Sequence, residues 1–135
     1  MASATNRQMT FAARPESVRD VRRFVERTLH DWNVASPESV LVASELAANA
    51  VVHARTDFVV SLVRSSAGVR VEVRDGDASG PSPSIAAGDH RSWRGLAIVD
   101  AMVSAWGVNP AQGGKTVWAE VGPAPRPDER LGRDR

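Results

Sequence analysis

Glu45, Asn49 and His53 stand at i, i+4 and i+8 in the stretch Ser-Glu-Leu-Ala-Ala-Asn-Ala-Val-Val-His-Ala, residues 44–54. On a helix of about 3.6 residues per turn they form one polar row, while Leu46, Ala47, Ala50, Val51 and Ala54 leave an apolar surface for packing. An acid, an amide oxygen and an imidazole in one row could hold a hydrated divalent cation and orient a proton transfer. Mg²⁺ takes oxygen ligands and keeps waters that phosphates can replace, and a placed carboxylate can accept a proton. The same spacing also suits the solvated face of any amphipathic helix. The order of the segments that follow has to decide.

Three further clusters follow in the sequence. Asp75-Gly76-Asp77 ends an alternating apolar stretch, Arg91-Ser92-Trp93-Arg94-Gly95-Leu96 opens a mostly apolar run, and Gly114-Lys115-Thr116 precedes another alternating stretch. A glycine at the start of a helix leaves backbone N–H groups open to a phosphate. Gly114-Lys115-Thr116 is not a P-loop: the leading glycine of that motif would fall on Asn109, and a strand pattern follows where a helix is required.

The elements that must position these groups can be read from periodicity. Residues 1–8 are small and polar and are expected to be disordered, with a short edge strand over 9–13. From Glu16, apolar Val18, Val21, Phe24, Val25, Leu29 and Trp32 recur at spacings of three and four, with Arg19, Arg22, Arg23, Glu26 and Arg27 on the other side. Ser36-Pro37-Glu38 opens a second helix with a cap residue, a proline at the first helical position and an acid in the first turn. That helix is expected to run to about Ala54. Residues 58–64 and 69–74 predict a hairpin. A Gly-, Pro- and Ser-rich stretch to about residue 93 is too long to be a plain connector and suggests a lid. A short helix over 94–103, a strand over 106–108, a turn over 109–113 and a final strand over 116–121 complete a domain of residues 9–122. The segment 123–135 is a charged, proline-rich tail that cannot bury a core and is expected to be disordered.

At 135 residues the chain is expected to form one domain, and without cysteine it has neither disulfides nor thiolate metal sites. A formal net charge of +1 gives no general field for nucleic acid, although Lys115 is the single lysine among 17 basic residues. No leader or long apolar run appears, so a cytoplasmic location away from membranes is expected.

Taken together, the Glu-x-x-x-Asn helix, the strand ending in Asp-Gly, the long loop, the Arg-Gly-Leu helix start and the closing Gly-Lys-Thr strand resemble the GHKL superfamily of gyrase, histidine kinase and MutL-type ATPases. The likeness is greatest to its stand-alone branch, the anti-sigma factor serine/threonine kinases, and covers residues 11–121. It implies a Bergerat-type α/β fold: a two-layer sandwich with helices on one face of a mixed, mostly antiparallel sheet, and ATP held with Mg²⁺ between helices and a lid.

The resemblance implies a role for each matched residue. Glu45 falls at the general base, Asn49 at the Mg²⁺ ligand, and His53 in the same helix near the nucleotide. Asp75, followed by Gly76, matches the acid that receives the adenine amine, and Thr116 a hydroxyl near the adenine. Arg91 matches the lid arginine that reaches the terminal phosphate, and Arg94, Gly95 and Leu96 the start of the phosphate-facing helix. The chain departs from the pattern at Asp77 and Ser79, which replace the later glycines of Asp-x-Gly-x-Gly, and at Trp93, which replaces the first glycine of the lid. Lys115 stands where a hydroxyl is common, either as an extra phosphate contact or as a solvated side chain. The implied function is a kinase that binds a sigma factor and phosphorylates a STAS-type antagonist protein, commonly as a homodimer. The alternative is a nucleotide-gated binding module without transfer.

Overall fold

The computed structural model describes residues 5–77, 99 and 101–122. In chain order these form β1 (Asn6–Phe11), α1 (Glu16–Asp31), α2 (Pro37–Asn49), a π-helical turn (Ala50–Ala54), β2 (Phe58–Ser65), β3 (Gly68–Asp75), β4 (Ala105–Ala111) and β5 (Gly114–Val121). The strands make one five-stranded sheet in the order β1-β2-β3-β5-β4. α1 packs on α2, and α2 lies across β2, β3 and β5. This is the expected α/β sandwich. A mixed sheet was expected, but every pairing among the described residues is antiparallel.

Side-chain periodicity explains the layering. Val21, Val25 and Leu29 of α1 and Val42, Ala43, Leu46 and Ala47 of α2 are buried against Phe58, Val60 and Leu62 of β2 and Val69, Val71 and Val73 of β3. Each large aliphatic side chain so covered stabilises by roughly 1.5–3 kcal/mol relative to leaving it in water. The intervening strand residues, among them Arg70, Glu72 and Arg74, point away from the helices. Ser36 caps α2 by accepting the Ser39 N–H at 3.2 Å, with Pro37 at the first helical position. α1 stops at Asn33, whose φ of 56° is a left-handed conformation that asparagine tolerates. Among the described residues no helix is long and apolar enough to cross a membrane.

Two boundaries differ from those expected. β1 begins at Asn6, so residues 6–8 belong to the sheet: Asn6, Arg7 and Gln8 pair with Val63, Leu62 and Ser61, and Arg7 reaches Asp31 at 2.8 Å. A backbone ladder satisfies N–H and C=O groups whatever the side chains are, so polarity concealed the strand. β4 runs through the expected turn to Ala111, and β5 starts at Gly114 instead of residue 116. Pro110 is tolerated because β4 is an edge strand. The turn is only two residues long, with Gly113 at φ 76°. Of the short helix expected over 94–103, Val99, Ala101 and Met102 are helical, and Val99 is fully buried.

Candidate functional site

Glu45 and Asn49 lie on α2, each partly exposed, one helical turn apart. Ser44, beside Glu45, accepts from Arg22 Nε at 3.1 Å and donates to the Val40 carbonyl at 2.8 Å, which ties this part of α2 to α1. The helix does not continue to Ala54 in α form. From Ala50 it widens into a π turn, and the Arg55 N–H closes on the Ala50 carbonyl, five residues back, at 3.2 Å. Four α-helical residues overshoot a full turn by about 40°, whereas a π turn rotates less per residue. His53 is exposed and lies within this π turn. Arg55 ends the turn in a left-handed conformation at φ 58°.

The far end of β3 lies at this same end of the sheet. Phe58, four residues after Ala54, pairs with Asp75, the Gly76 N–H donates to Thr56 Oγ1 at 2.9 Å, and the π turn packs against β3. Asp75 is buried, on the helix side of the sheet with Val71 and Val73. Its Oδ1 accepts the Asp77 N–H at 2.9 Å, so Asp77 stands in a turn closed on the carboxylate. A Cβ on Gly114 would collide with the Asp75 carbonyl oxygen, so only glycine lets the β5 backbone pass beneath this residue.

Lys115 is not a solvated side chain: it pairs directly with Asp75 across β3 and β5, is buried, and its Nζ lies 3.2 Å from Asp75 Oδ1 and 3.2 Å from Oδ2. Asp77 Oδ2 is a further 3.7 Å contact of the ammonium. Thr116 pairs with Arg74, on the opposite face of the sheet from Asp75, so the structure does not bring these two together. The signal was present in the alternation: Lys115 shares the parity of Val117, Ala119 and Val121, as Asp75 shares that of Val71 and Val73. Thr56, the anchor of Gly76, had no such signal. Arg91, Trp93, Arg94, Gly95 and Leu96 lie outside the described residues.

A second ionic cluster joins the same two strands on the open face. Arg70 donates through Nε to Glu72 at 2.6 Å and through Nη1 to Glu120 at 2.9 Å, and its guanidinium lies 4.3 Å from the Trp118 ring centroid. The hydrogen bond to Glu72, opposed by desolvation and helped by both carboxylates, holds Arg70 above its ordinary pKa. No group of three or more His, Asp or Glu side chains is gathered as a metal centre among the described residues. The Asn49 amide oxygen, partly exposed, fits a hydrated Mg²⁺, which keeps most of its waters and needs few protein ligands.

An ATPase-type sandwich, with a polar helix row and a buried acid at one end of its sheet, agrees with the comparisons. The sequence profile of the histidine kinase-like ATPase domain matches residues 11–121. The chain belongs to this family, and with it to the GHKL superfamily. No curated protein sequence matches the chain. Among solved structures it is similar to the crystal structure of the RsbU and RsbW domains of Rv1364c from Mycobacterium tuberculosis. The identity is 24%, the TM-score 0.68, and the match covers 92% of this chain and 34% of that one. At that identity the likeness shows a shared fold.

Proposed function

We propose that this protein is an ATP-dependent serine/threonine protein kinase that restrains a sigma factor and phosphorylates a small STAS-type antagonist. The observation that carries the reading is the placement of partly exposed Glu45 one turn from Asn49 on α2, a helix that ends beside the Asp75 end of the sheet. The RsbW domain named in the similar structure supports the choice of this branch over others of the superfamily.

In this reading Asp75, acceptor-only when ionised, receives the adenine amine. Asn49 is the protein ligand of Mg²⁺, with His53 close to the phosphates. The metal, when bound, neutralises charge on the phosphates. Glu45 accepts the proton of the attacking seryl hydroxyl as its oxygen bonds to the γ-phosphorus. The bond from that phosphorus to the β,γ-bridging oxygen breaks, and ADP leaves with the electron pair. Arg91 is assigned to the transferring phosphoryl group, and Arg94, Gly95 and Leu96 to the phosphate-facing helix start.

Glu45→Gln tests the mechanism, since it keeps size and hydrogen-bonding reach but removes proton acceptance. ATP affinity measured by calorimetry should barely change, while transfer of labelled phosphate to a STAS-type protein should fall by roughly two to four orders of magnitude. Transfer at the parent rate would remove Glu45 as the base. The second reading, a nucleotide-gated module without transfer, is favoured by the replaced glycines at Asp77 and Ser79 and by Trp93. Nucleotide binding with no labelled protein in a complete partner mixture would select it.

A further inference from the structure

We infer that Lys115 is a determinant of nucleotide affinity, because its ammonium holds the Asp75 carboxylate that a base must reach. The inference rests on the reading of Asp75 as the acceptor for a base amine. The Lys115 Nζ bridges both Asp75 oxygens at 3.2 Å, and the Asp77 N–H already occupies Oδ1 at 2.9 Å. Both side chains are withdrawn from water, at 3% exposure for Asp75 and 11% for Lys115. The pair is fixed by backbone: Asp75 and Lys115 are direct cross-strand partners, and Gly114 brings β5 close beneath Asp75.

A neutral exocyclic amine competes poorly with this arrangement. A charge-assisted hydrogen bond is roughly twice as strong as a neutral one, and among the described residues an ammonium displaced from this buried carboxylate keeps only the longer contact to Asp77, at 3.7 Å. The base therefore takes the little acceptor capacity left on Asp75, or else separates the pair. In either case Lys115 lowers affinity. This sign is opposite to that of a lysine serving the phosphates, whose removal weakens binding.

The experiment compares parent, Lys115→Thr and Lys115→Met by calorimetry with Mg·ATP and with adenosine, while thermal unfolding is followed for each. Threonine keeps a small donor and acceptor without charge. Methionine keeps the chain length and removes the ammonium, so it stands in if the threonine variant fails to fold. Adenosine has no phosphates and isolates the base contact. The expected result is tighter adenosine binding by about tenfold in the variants, with ATP changing in the same direction. Unchanged or weaker adenosine binding in folded variants overturns the inference while leaving the nucleotide site in place. If neither parent nor variants bind ATP or adenosine at millimolar concentration, the nucleotide reading itself falls, and the inference with it.

Discussion

β3 and β5 are joined by two ionic clusters, one on each face of the sheet. On the open face Arg70 lies between Glu72 and Glu120 and over Trp118, and all of these groups keep contact with water. Under the helices, Asp75 and Lys115 face each other with almost none. In the first cluster water can replace any partner that is removed, so each contact adds little. In the second nothing can, and the pair interrupts a face that is otherwise Val71, Val73, Val117 and Ala119. A buried ion pair is weak evidence of stabilisation, because an apolar pair of the same volume often does as well. The pair lies at the end of the sheet that carries the candidate site.

Breaking the inner pair on one side should have the largest effect. Among the described residues, Asp75→Ala leaves the Lys115 ammonium buried with only its longer contact to Asp77, and the expected loss is about 3 kcal/mol in urea unfolding. A loss no greater than that of an exposed pair would mean that the inner cluster is hydrated. Arg70→Ala, which removes both carboxylate contacts and the stacking on Trp118, should cost about 1 kcal/mol, and less in 1 M salt. Salt-independent destabilisation would assign the loss to packing instead. The smallest change is expected when both inner charges go together. The double variant Asp75→Leu with Lys115→Met should unfold within about 1 kcal/mol of the parent, well above Asp75→Ala. A double variant as unstable as the single one would show that the pair, and not the unpaired charge, supports the fold.

Much of this architecture was legible in the sequence because burial sets the period. The spacing of Val21, Val25 and Leu29 gave α1, the Ser36-Pro37 start gave α2, and the alternation through Val69, Val71 and Val73 gave β3. Strands held by backbone pairing were harder to see, as with polar Asn6 to Gln8, or with Pro110, which only an edge position allows. The residues of the candidate helix row were legible by spacing. The Lys115 contact was encoded in strand parity but was hidden while β5 was placed two residues too late. Nothing in the composition of residues 50–54 announces a π turn, since alanine and valine also occur in the buried faces of α-helices.

That π turn carries a consequence for how the segment encodes its structure. A π turn accommodates one residue more than the α turn it replaces, and here the surplus falls between Asn49 and Phe58, whose register with Asp75 is fixed by the sheet. What residues 50–54 specify is therefore a count as much as a chemistry. Substitutions among small apolar residues leave the count intact, whereas loss of one residue lets the helix rewind and forces either His53 to a new angle about the helix or β2 out of step with β3.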